Sequence, residues 1–240
     1  MTTFKIAAMT LFAVVVSLSL GLAGSGADEF AAQREKMVAE QLGGRDIVDA
    51  SVIKAMQTVP RHRFVPGELR HLAYHDTPLP IGHGQTISQP YIVALMSQVL
   101  AVAPGRRILE IGTGSGYQAA VLAEMGATVF SIEIVPELGR QAIDNLQASG
   151  YGNIRVKIGD GYQGWPEHAP FDAVIVTCAP TRIPEPLKDQ LVEGGRMVIP
   201  VGEKYAQQLV LLTKQKGEVH QEKIVDVRFV PMVDRQGKTY

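Results

Sequence analysis

The sequence predicts an α/β fold: a central, mostly parallel sheet with helices on both faces, preceded by an N-terminal helical segment. Three observations carry this reading. Residues 107–123 read as a buried apolar strand, a glycine turn and a helix. From there, short apolar runs alternate with helical stretches as far as Pro200, the pattern of a parallel sheet joined by right-handed crossovers. Two further strand-like runs, 208–213 and 222–230, stand close enough in sequence to pair antiparallel.

Taken in order, residues 1–5 carry one positive charge and residues 6–22 form an uncharged, mostly apolar run. Ser25 and Ala27 supply the small residues of a cleavage site before Asp28. This predicts a secretory signal over residues 1–27 and a periplasmic or secreted protein. An uncleaved membrane anchor and a start at Met37 are the alternatives. Residues 29–42 read as one helix with Asp28 as its N-cap and Phe30, Met37, Val38 and Leu42 on its apolar face. A second helix over 50–58 stops at Val59-Pro60, and residues 60–66 form a proline-bracketed connector. Pro90 precedes the apolar helical run 92–102, since proline suits the first position of a helix. Beyond the glycine turn the expected elements are a strand over 128–133, a helix over 136–149 and a strand over 154–158. A strand over 171–176, a helix over 184–192 and a strand over 194–200 follow. The organisation expected is residues 1–27 as signal, 28–105 as a helical and substrate-loop segment, and 106–240 as the α/β core.

Composition narrows the function. With 240 residues, 46% of them hydrophobic, the chain can bury a full core. The net charge is −1 and no basic run exceeds Arg106-Arg107, which argues against a nucleic-acid partner. Cys178 is the one cysteine, so no internal disulfide forms, and its apolar setting suggests a buried inert thiol. His62, His71, His75 and His83 lack the spacing of a metal site, and no serine sits in a G-x-S-x-G elbow.

The chemistry-bearing stretch is Glu110-Ile111-Gly112-Thr113-Gly114-Ser115-Gly116-Tyr117. Glycines let the backbone turn and approach a ligand where a Cβ would block it, and the following helix points free N–H groups into the same cleft. Dinucleotide-binding proteins use G-x-G-x-x-G in this setting, but Tyr117 stands where the third glycine of that motif belongs. An acid followed by G-x-G-x-G resembles the first motif of S-adenosylmethionine (SAM)-dependent methyltransferases; a structural glycine turn without ligand is the bland alternative. Glu133 ends the next strand and could accept from both ribose hydroxyls of an adenosine. Asp160, before Gly161, could accept from the adenine amino group or could be a plain turn residue. Thr86 and Ser88 precede a helix N-terminus, a setting that suits a carboxylate ligand, although Ser88 could merely cap that helix.

Residues 37–232 together resemble the protein-L-isoaspartate O-methyltransferase family, and most specifically through Pro80-Ile81-Gly82-His83-Gly84-Gln85-Thr86-Ile87-Ser88-Gln89-Pro90. Val59-Pro60-Arg61, residues 109–120, 171–180 and 194–202, and Val227-Arg228-Phe229-Val230-Pro231 join that match. The resemblance implies a Rossmann-like SAM-dependent methyltransferase fold. It further implies methylation of the α-carboxyl of L-isoaspartyl residues in damaged proteins or peptides, starting repair through a succinimide. Ser88 would be the active-site residue, with Thr86, Ile87 and Gln89 between cofactor and substrate. Glu110, Gly112, Gly114, Glu133, Asp160 and Gly161 would hold SAM. No metal is implied, the partners are isoaspartyl proteins and peptides, and a monomer without a stable protein partner is expected. The family is typically cytosolic, which makes the cytoplasm the alternative location. Competing readings are a SAM-dependent methyltransferase of another carboxylate and an exported SAM-binding protein without turnover.

Overall fold

The computed structural model describes residues 29–203 and 205–240; the expected signal and the Asp28 N-cap lie outside them. Strand β3 (Arg107–Ile111) is an interior strand, third from one edge, of a seven-stranded sheet of order β5-β4-β3-β6-β7-β8-β9. Its neighbours β4 (Thr128–Glu133) and β6 (Phe171–Val176) run parallel to it, as do β5 (Arg155–Ile158) beside β4 and β7 (Leu191–Glu203) beside β6. The last two strands, β8 (Ala206–Gln215) and β9 (Glu218–Val227), add antiparallel at one edge. The connections leave β3 on both sides, so its carboxyl end opens at the switch point where ligands of such sheets bind.

The alternation of side chains across the sheet explains the apolar runs. Ile108 packs with one core and Leu109 and Ile111 with another, on opposite faces. The first core is covered by α2 (Ala50–Thr58), α3 (Pro90–Leu100), α4 (Tyr117–Glu124) and α5 (Pro136–Ala148). Val52, Ala55 and Met56 of α2 belong to the same buried cluster as Tyr117 and Val121 of α4, which docks the N-terminal segment on the helix layer that covers the sheet. Val52, Met56 and Val121 each contribute about 1.5–3 kcal/mol on full burial. The opposite face is covered by the short α6 (Glu185–Asp189) and by Tyr162, Trp165, Met232 and Tyr240.

Several expected boundaries move. The helix expected over 29–42 begins as α1 (Ala31–Lys36) and widens its register into a π-helical stretch, Met37–Leu42; Phe30 caps it without a side-chain bond. The helix expected over 184–192 ends at Asp189, because Leu191 already pairs with Phe171 in the sheet. The expected strand over 222–230 lies at Glu218–Val227. Residues 79–87, inside the expected helical and substrate-loop segment, form a hairpin, β1 (Leu79–Gly82) and β2 (Gln85–Ile87). Its turn needs positive φ at Gly82, His83 and Gly84 (91°, 52° and 70°), which two of the three positions tolerate freely as glycine. No helix among the described residues is long and apolar enough to cross a membrane.

Candidate active site

The glycine turn after β3 is shaped by what lies above it. At Gly112, with φ of 95°, a Cβ would stand 2.4 Å from Thr177 Oγ1, so only glycine fits. That Thr177 hydroxyl donates to the carbonyls of Gly112 at 2.7 Å and Ile111 at 3.1 Å, tying the end of β6 to the turn. At the end of β4, Glu133 accepts from Gly114 N at 2.7 Å and from Val135 N at 3.0 Å. Burial pushes its carboxyl above the usual carboxylate range, while these backbone donors pull the other way.

Glu110 occupies a different place from the one expected. It is fully buried, lies opposite Ser131 in the β3–β4 register, and accepts a hydrogen bond from the Ser131 hydroxyl. Ser131 in turn contacts Thr113 Oγ1 at 2.6 Å. Glu110 therefore does not line the cleft; it reaches the glycine turn through two hydroxyls. Desolvation pushes its pKa up to about 8, with the Glu133 charge adding to the rise, and Oε1 has no partner among the described residues.

The cleft above the strand ends is lined by Thr86, Ile87 and Ser88, by Gly112 and Gly114, and by Glu133 and Gly161. Gly161 lies against Ile111, where a Cβ would meet Cγ2 at 2.4 Å. A second groove adjoins it and takes in Gln89, Ile92, Tyr205 and Phe229. Thr86, Ser88, Thr177 and Val230 line both cavities. Ser88 is half-buried and does not cap α3, whose N-cap is Gln89 with no side-chain bond. Asp160 lies outside the lining: its carboxylate accepts from Tyr162 N at 2.9 Å and from the Tyr240 hydroxyl, and the two tyrosine rings stack at 4.1 Å.

Sequence reasoning missed Thr177 and the stretch 230–233, which also line the cleft. Thr177 could have been found, since it follows a parallel strand at its carboxyl end, where ligands bind. Cys178 lines the cleft as well, mostly but not wholly buried, and its thiol is pushed up by desolvation and stays protonated. Among the described residues, no group of three His, Cys, Asp or Glu side chains could hold a metal ion.

Residues 32–237 match the family model of protein-L-isoaspartate(D-aspartate) O-methyltransferase. The chain belongs to that family. A protein-L-isoaspartate O-methyltransferase of Gloeobacter violaceus is 57% identical over 197 residues, covering 82% of this chain and 96% of the relative. Its counterpart in Picosynechococcus is 55% identical over 214 residues, covering 89% and 95%. A solved protein-L-isoaspartate O-methyltransferase superposes with a TM-score of 0.77 at 31% identity, over 85% of this chain and 67% of the other. A Plasmodium falciparum structure described as the same enzyme, in complex with S-adenosyl-L-homocysteine, gives 0.74 at 30% identity, over 83% and 97%. The family's sheet, with its parallel strands and C-terminal antiparallel pair, is therefore the fold of this class I SAM-dependent methyltransferase.

Proposed function

We infer that this protein transfers the methyl group of SAM to the α-carboxyl of L-isoaspartyl residues in damaged proteins and peptides. The observation that carries the reading is the junction of two cavities at Ser88 and Thr86: one holds the glycine turn and Glu133, the other opens to solvent beside Gln89. A cofactor in the first and an extended peptide in the second would meet there. The donor set fits SAM: Glu133 has acceptor capacity left for ribose hydroxyls, and the bare Gly112 and Gly114 backbone can approach the ligand closely.

Bound SAM supplies an electrophilic sulfonium methyl. The protein needs no general base, because a free carboxylate is already ionised near pH 7. Its residues have to bring nucleophile and methyl into line, an effect that can be worth about 7–11 kcal/mol. In our reading Ser88 orients the substrate carboxylate, with Thr86, Ile87 and Gln89 around it. Glu133 holds the ribose, Gly112 and Gly114 the chain of the cofactor, Gly161 the adenine face, and Glu110 acts through Ser131 and Thr113. Asp160 reaches the adenine amino group only if it shares its carboxylate with Tyr240. The ester carbonyl, unlike a carboxylate, can expel methoxide, so the neighbouring backbone nitrogen attacks it and closes a succinimide with loss of methanol; water then reopens the ring in part to normal aspartate.

The test uses labelled SAM and two peptides differing only in aspartate or isoaspartate at one position. Label should enter the isoaspartyl peptide alone and leave as methanol in mild base. Transfer to neither peptide, with SAM still bound, would refute the reading.

A further inference from the structure

Arg61 heads the large side chains that are fully buried. Its Nε donates to the Ala73 carbonyl at 2.7 Å and its Nη2 to the Ser88 carbonyl at 2.7 Å. The guanidinium lies over the Tyr117 ring, 4.8 Å from its centroid, and Nη1 has no partner among the described residues. No ion pair among those residues neutralises it. Asp76, the acid that acts on it from a distance, is paired with Arg45 at 2.6 Å. Desolvation lowers its pKa to about 10, so it stays charged at neutral pH.

A buried cation without a counterion is costly to fold, and packing alone does not explain it. A neutral amide could donate to one carbonyl, and an aliphatic chain could fill the space. The position is more telling: Arg61 joins Ser88 of the substrate loop to Tyr117, the first residue of the helix that follows the glycine turn. The Ser88 carbonyl and the Gln89 N–H belong to one trans peptide plane and point in opposite directions. Drawing the carbonyl towards Arg61 therefore turns the Gln89 N–H the other way, on a residue that lines the groove beside Ser88.

We propose that Arg61 is a positioning residue for the substrate carboxylate. It holds the Ser88 carbonyl so that the Ser88 hydroxyl and Gln89 N–H are presented together, and its unneutralised charge supplies a fixed positive field for an ionised ligand there. This rests on the reading of Ser88 as the substrate-side residue.

The experiment compares inhibition by an unlabelled isoaspartyl peptide with inhibition by the same peptide carrying isoasparagine, whose α-carboxylate is replaced by a carboxamide. The wild-type chain should prefer the carboxylate, and Arg61→Gln should lower that preference roughly tenfold with SAM affinity unmoved. Arg61→Lys keeps the charge but cannot hold both carbonyls, so it should retain most of the preference while losing turnover. An unchanged preference in Arg61→Gln overturns the proposal. Should that variant fail to fold, Arg61→Lys decides. A lowered kcat with most of the carboxylate preference kept and SAM affinity unmoved upholds the proposal, and a SAM affinity that falls as far as kcat overturns it. A wild-type chain that methylates no isoaspartyl peptide defeats the underlying reading as well, whereas an active wild type with an unmoved Arg61→Gln preference defeats this proposal alone.

Discussion

The Glu133 carboxylate accepts a hydrogen bond from Gly114 N at 2.7 Å, so the end of β4 and the turn after β3 are fastened across the cofactor cleft. One oxygen holds the turn and the other meets Val135 N, which leaves lone pairs on both for ribose hydroxyls. Glu133→Gln keeps the shape and one acceptor while removing the charge. We expect SAM to bind roughly ten- to a hundredfold more weakly, measured by calorimetry. Undiminished affinity in that variant would remove Glu133 from the ribose role.

Gly112→Ala should be worse than an ordinary glycine replacement. The added methyl meets Thr177 Oγ1 at 2.4 Å, and the backbone sits at φ 95°. Strain of this kind costs about 1–3 kcal/mol, read as a lower midpoint in denaturant. In a Thr177→Ala background the steric part disappears and only the backbone part remains, so the alanine should cost less there. Equal costs in the two backgrounds would mean that Thr177 yields freely and does not shape the turn.

The parts of this site that sequence made visible are those encoded locally. The run from Arg107 to Ile111, the glycines after it and the acid closing β4 announce themselves by pattern, because burial on both faces and positive φ dictate residue type position by position. Partnerships across the fold are not written that way. Nothing near Leu191 says that it will pair with Phe171 and cut a helix short, and nothing near Asp160 says that Tyr240 will take its carboxylate. Glu110 illustrates both sides: its place at a strand end was legible, but its inward direction follows from Ser131 opposite it in the sheet register. Arg61 carried only a resemblance in sequence; its meaning comes from the Ser88 carbonyl 27 residues away.

Ser88→Ala separates substrate positioning from cofactor binding. The hydroxyl stands at the junction of the two cavities and does not cap α3, so its loss should leave the fold intact. A hydrogen bond to a charged group is worth about 1.5–3 kcal/mol, and kcat should fall by a corresponding factor of roughly ten to a hundred while SAM affinity holds. If SAM affinity drops as far as kcat, Ser88 belongs to the cofactor side and the substrate role fails.

Glu110 makes stability depend on pH in a direction opposite to that of a paired surface carboxylate. Its pKa rises from 4.5 to about 8 on folding, chiefly through desolvation. Between those values the folded state holds a proton that the unfolded state has released, so stability falls as pH rises through the window. The contribution is fully present below about 4.5 and lost above about 8. Asp49 and Asp172, whose carboxyls are lowered by hydrogen bonds and, for Asp172, by Arg106 and Arg107, act in the opposite sense at acid pH. They are common to wild type and variant and drop out of the difference. Glu110→Gln removes the titration but keeps an acceptor for Ser131, so its stability relative to wild type should climb steadily from pH 4.5 to 8 in denaturant titrations. A difference that stays flat across that range would show that Glu110 is ionised in the folded protein, and that the Ser131 and Thr113 hydroxyls stabilise a carboxylate rather than an acid.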